Sequence, residues 1–160
     1  MEKISYSNEV ANSIKDFLFK GNWSYSFDEE GGIFRFGISL SGKMKRINYL
    51  ITVKKDIYIV YAYSPLGVEK GDENIMARMA EYICRANYGL KNGNFELDMQ
   101  DGEIRYKTYV NCEGIALSEE VIRDSIVSPA AAFERYGEGF VDIIFNDMSA
   151  KSAIEKCENS

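Results

Sequence analysis

The chain is predicted to be an α+β domain, a two-layer sandwich with helices on one face of an antiparallel sheet. Three observations predict it. The apolar period switches between near 3.6 and 2 along the chain, short turns join most of the alternating runs, and each run shows one apolar face that needs cover.

The elements follow in the order α-β-β-β-β-α-β-β-α(-α). Residues 7–20 place Val10, Ile14, Phe17 and Leu18 at helical spacing with Gly21 as a stop, which predicts a first helix. Trp23, Tyr25 and Phe27 then alternate with polar residues, and Glu29-Glu30-Gly31-Gly32 reverses the chain. Phe34, Phe36, Ile38 and Leu40 form a second alternating run, and Ile47, Tyr49, Ile51 and Val53 a third. After Lys54-Lys55-Asp56 a fourth strand carries Ile57, Ile59, Tyr61 and Tyr63, ended by Ser64-Pro65-Leu66-Gly67. Short connections make these four strands a meander.

Helical spacing returns over residues 72–90 in Ile75, Met76, Met79, Ile83 and Ala86, with Asp72 as N-cap and Gly89 as breaker. Phe95, Leu97 and Met99 lead through Asp101-Gly102 to Ile104, Tyr106, Thr108 and Val110, a hairpin. Ser118 followed by Glu119 and Glu120 starts the third helix. Ser128-Pro129 reads as a fresh start, so a broken or bent pair of C-terminal helices is expected through Phe133, Tyr136, Phe140 and Ile144. One domain spans residues 1–160, with residues 147–160 a polar tail expected to fray.

At 160 residues and 46% hydrophobic content the chain can bury a core without metals or disulfides. A formal charge of -6 disfavours a nucleic-acid partner. The one basic cluster, Lys43, Lys45, Arg46, Lys54 and Lys55, reads as edge protection at hairpin ends. Cys84, Cys112 and Cys157 form no CxxC pair, which fits a reducing cytoplasm; Cys84 and Cys112 are expected buried and Cys157 exposed. The N-terminal residues show no export signal, and no stretch is long enough for a membrane span.

No histidine occurs, which removes the commonest nucleophile systems, proton shuttle and transition-metal ligand. No glycine pattern opens a helix as a nucleotide loop would. Two acidic groups remain, Asp28, Glu29 and Glu30 in one turn and Asp98, Asp101 and Glu103 in another. They read first as turn residues, and in an alternative as carboxylates of a small metal-assisted hydrolase. No cofactor, metal or enzymatic activity is expected.

The segment Asn87-Tyr88-Gly89-Leu90-Lys91-Asn92-Gly93-Asn94-Phe95-Glu96-Leu97-Asp98, continued by Gly102-Glu103-Ile104-Arg105-Tyr106-Lys107, resembles the YbjN-like family, also described as bacterial sensory transduction regulators. The resemblance covers residues 72–128 and reaches the N-terminal sheet only by order of elements; the aromatic-rich segment after Pro129 departs from it. It implies a fold similar to the type III secretion chaperones, which often act as dimers that hold a protein segment, and it implies no reaction.

A non-catalytic protein-binding module, chaperone-like or regulatory and homodimeric, is therefore the expectation, with an immunity or inhibitor protein as a further alternative. The candidate contact residues are Leu50, Tyr58, Val60 and Tyr109, expected together on the sheet face that the helices leave bare.

Overall fold

A computed structural model describes residues 5–160; the remaining four, on which part of the export argument rested, lie outside the described residues. Among the described residues there are four helices: α1 (Asn8–Lys20), α2 (Glu73–Asn87), α3 (Glu119–Phe145) and α4 (Ala150–Glu158). The strands are β1 (Ser26–Asp28), β2 (Ile33–Ser39), β3 (Arg46–Val53), β4 (Ile57–Tyr63), β5 (Asn94–Leu97) and β6 (Ile104–Asn111). They form one six-stranded antiparallel sheet in the order β1-β2-β3-β4-β6-β5. The α+β two-layer class is as the sequence predicts.

Asp72 and Ser118 cap their helices as predicted, and Ser7 caps α1 as well. The Ser7, Asp72 and Ser118 side chains accept from the amides of Val10, Ile75 and Val121, which satisfies a first-turn donor in each case. Ile14 and Leu18 of α1, Met79 and Tyr82 of α2, and Phe133 and Phe140 of α3 pack on Phe34, Ile47, Ile51, Tyr58, Val60 and Phe95 of the sheet.

Four expectations are corrected. The first concerns β1, which is only three residues long: Trp23 and Tyr25 precede it rather than belong to it. Next, α3 runs unbroken through Pro129. Proline removes one amide donor, and the carbonyl it orphans, that of Ser125, takes a hydroxyl from β6 instead, so the helix continues. The segment expected to fray forms α4, capped by Ser149 and burying Ala150, Ala153, Ile154 and Cys157 at i, i+3, i+4 and i+7. Finally, two thiols exchange places: Cys157 is buried beside the Tyr82 hydroxyl, whereas Cys84 is exposed.

Two glycines of α3 make room for its neighbours. A Cβ on Gly137 would press on the thioether of Met44, and one on Gly139 would collide with the hydroxyl of Tyr82, which donates to the Tyr136 carbonyl at 2.7 Å. At the far end of α3 the buried Asp142 accepts from Lys156 of α4 at 2.6 Å and from Asn146 at 2.8 Å. Burial alone would raise its carboxyl, but these two bonds outweigh it and hold the group below the usual carboxylate range.

A candidate binding groove at the free edge of β2

The sheet has one helix-covered face and one open face, and register decides which residues lie where. Lys54 donates to the Ile57 carbonyl at 2.9 Å, so Lys55-Asp56 is a two-residue turn that pairs Val53 with Tyr58 and Ile51 with Val60. Val53 and Ile51 face the helices, and their partners follow. Tyr58 and Val60 are therefore fully buried, a reversal of the facing expected from the sequence. The Tyr58 hydroxyl lies 2.9 Å from Ser125 Oγ. That Oγ already donates its proton to the Ile122 carbonyl, so Tyr58 is the donor. Burial pushes the Tyr58 phenol up to about 12.

Leu50 and Tyr109 do lie on the open face, as expected, but Ile59, Tyr61 and Tyr63, whose spacing predicts the covered face, lie there with them. Leu50 is opposite Tyr61 and Tyr109 is opposite Ile59. The aromatic strip is braced by charge: the Arg105 guanidinium lies 4.3 Å over the Tyr61 ring and bonds Glu96 at 2.6 Å, and Lys107 pairs with the same carboxylate. Burial would raise Glu96, but the two cations beside it hold its carboxyl low.

A groove of about 810 Å³ opens at the β2 end of this face. Its walls bring Leu50 and Tyr63 of the open face together with Trp23 and Phe36, whose rings meet edge to face at 5.4 Å. It therefore wraps around the edge of β2. That edge is free because β1 pairs only with Ile33, Phe34 and Arg35. The amide of Leu40 bonds Lys45 and the carbonyl of Gly32 bonds Val53, so the even-numbered residues of β2 point their peptide groups at β3. Those of Gly37 and Ser39 point away, and no partner meets them among the described residues.

The edge is held from behind. Ser41, just beyond β2, donates its amide and hydroxyl to Glu134 of α3 at 2.8 and 2.7 Å, and the Lys43 amide donates to Glu138 at 3.0 Å. Arg46, read from the sequence as edge protection, instead lies across Gly37, where any Cβ would collide with its guanidinium.

The acids considered as catalytic candidates serve their own turns. Asp28 accepts the amides of Glu30 and Gly31, Asp98 that of Gln100, and Asp101 that of Glu103. Among the described residues no group of three or more carboxylates or thiols converges as a metal site would require. None of their helices is long and apolar enough to cross a membrane.

No family model matches the chain and no curated protein matches it, so the resemblance to the YbjN-like family rests on the residues quoted for it. Among solved structures the chain is similar to one from the ExsC–ExsE complex, with TM-score 0.46 and 13% identity over 79% of this chain and 92% of that one. It is also similar to one from the HopA1–SchA chaperone–effector complex, with TM-score 0.45 and 11% identity over 79% of this chain and 91% of that one.

Proposed function

We propose that this chain is a non-catalytic protein-binding module, chaperone-like or adaptor-like, that holds an extended segment of another protein along the free edge of β2. The observation that carries the proposal is the coincidence of unpaired peptide groups at Gly37 and Ser39 with a groove that has apolar walls on both sides of the strand. An incoming strand would supply the missing main-chain bonds, and its alternate side chains would face Arg35 and its cross-strand neighbour Leu50 on one side and Trp23 on the other. The resemblance to the YbjN-like family and to chaperone folds agrees with this use. A bacterial cytoplasm suits the three free thiols, and a homodimer built through another surface would leave the groove open.

Site-specific photo-crosslinking tests the proposal. A crosslinker at Leu50 should trap a partner polypeptide, whereas one at Tyr88, which is 96% exposed beyond the end of α2, should not. Equal capture at both positions, or none at Leu50, contradicts it.

A further inference from the structure

The groove also carries information about the chemistry of its occupant. Four cationic side chains stand on the open face of β2, β3 and β6: Arg35, Arg46, Arg105 and Lys107. Arg105 and Lys107 are both engaged by Glu96. Arg35 and Arg46 make no ion pair with any carboxylate of the described residues, and both line the groove. They flank Gly37, one of the two residues whose peptide groups face outward.

In a chain whose formal charge is -6, two unneutralised guanidinium groups beside an unpaired edge form a local field opposite to the average. Each presents a planar fork suited to a carboxylate. We infer that the segment bound along β2 is acidic, with Asp or Glu side chains on the face that meets Arg35 and Arg46, and apolar ones on the face that meets Trp23 and Phe36. This inference rests on the proposed function and goes beyond it by naming the occupant's charge. A two-fold contact between copies through the same groove would bring the arginine pairs of two chains together, which disfavours a second copy as the occupant.

The chain's one tryptophan, Trp23, lines the groove and reports its occupancy by fluorescence. The probes are capped peptides of about ten residues, enough for an ordinary strand, that alternate valine with glutamate or valine with lysine. The glutamate peptide should bind at least about fivefold tighter than the lysine peptide, the sum expected of two partly exposed ion pairs. Added salt should shrink that preference, and the double variant Arg35→Gln/Arg46→Gln, at two exposed positions, should abolish it with an unchanged circular dichroism spectrum.

Equal binding of the two peptides would overturn the inference about charge and leave the extended-segment function standing. Failure of both peptides to bind, by fluorescence and by calorimetry, would overturn both. A single-stranded oligonucleotide that matches the glutamate peptide, or a Trp23 signal that follows protein concentration without peptide, would replace the acidic segment with another occupant and overturn the inference.

Discussion

Thr108 Oγ1 on β6 donates a hydrogen bond of 2.8 Å to the carbonyl oxygen of Ser125 on α3, the carbonyl that Pro129 deprives of its helical amide. Tyr49 donates to the neighbouring Ile126 carbonyl at 2.7 Å, and Tyr58 to Ser125 Oγ. Core-facing hydroxyls from three strands thus converge on one stretch of α3 and fix the helix layer on the sheet. Replacing Thr108 with Val leaves a buried acceptor unsatisfied and should cost about 1–3 kcal/mol in urea unfolding. In a Pro129→Ala background the restored amide takes over the carbonyl, so the same substitution should cost less than half as much. Equal costs in the two backgrounds would show that Thr108 does not compensate for the proline.

The facing of β4 gives a second prediction. Tyr58→Asp places a charge in the core and should unfold the chain or cost more than about 3 kcal/mol. Tyr109→Asp, at a residue 56% exposed, should stay within about 0.5 kcal/mol of the parent. Thermal unfolding of the two variants reads the facing directly, and losses equally small in both would restore the orientation expected from the sequence, which placed both tyrosines on the bare face.

Helix α3 yields a third. Gly139→Ala collides with the Tyr82 hydroxyl and should destabilise by about 1–3 kcal/mol, part of which Tyr82→Phe should return. At Gly89 an added Cβ meets nothing, so Gly89→Ala should be neutral or stabilising by up to about 1 kcal/mol. Comparable losses at both glycines would contradict the packing described.

Acid dependence gives a fourth. The Asp142 carboxyl is lower in the folded chain than in the unfolded one, so its contribution is present above the unfolded value of about 3.9 and is lost as pH falls through the folded value. Lys156 is raised by the same carboxylate, so its contribution persists up to about pH 10.4 and fades only above that. Asp142→Asn should be less stable than the parent at neutral pH, and the difference should narrow below about pH 4. A difference that stays constant from about pH 7 to 2 would remove the carboxylate from the explanation.

The order of elements, their turns and the helix caps Asp72 and Ser118 were legible because they depend on neighbours in the chain. The facing of β4 was not, because Ile57, Tyr58, Ile59, Val60, Tyr61, Ala62 and Tyr63 are apolar without interruption and a period of 2 has no phase there. The phase was available from β3, where Arg46, Asn48 and Thr52 mark the open side, once Lys55-Asp56 is taken as a two-residue turn. α4 was hidden by its polar average, although Ala150, Ala153, Ile154 and Cys157 already carried a helical stripe. The continuity of α3 through Pro129 depends on Thr108, about twenty residues away in sequence, and the free edge of β2 on how early β1 ends. Neither is written in local spacing.

Amide hydrogen exchange at Gly37 and Ser39 tests the central claim most directly. In the free protein these two amides should exchange fast while Phe36 and Ile38, bonded to β3, stay protected; with a bound partner segment Gly37 and Ser39 should become protected too. Binding that leaves both amides exchanging at their free rate would contradict recognition along the edge of β2.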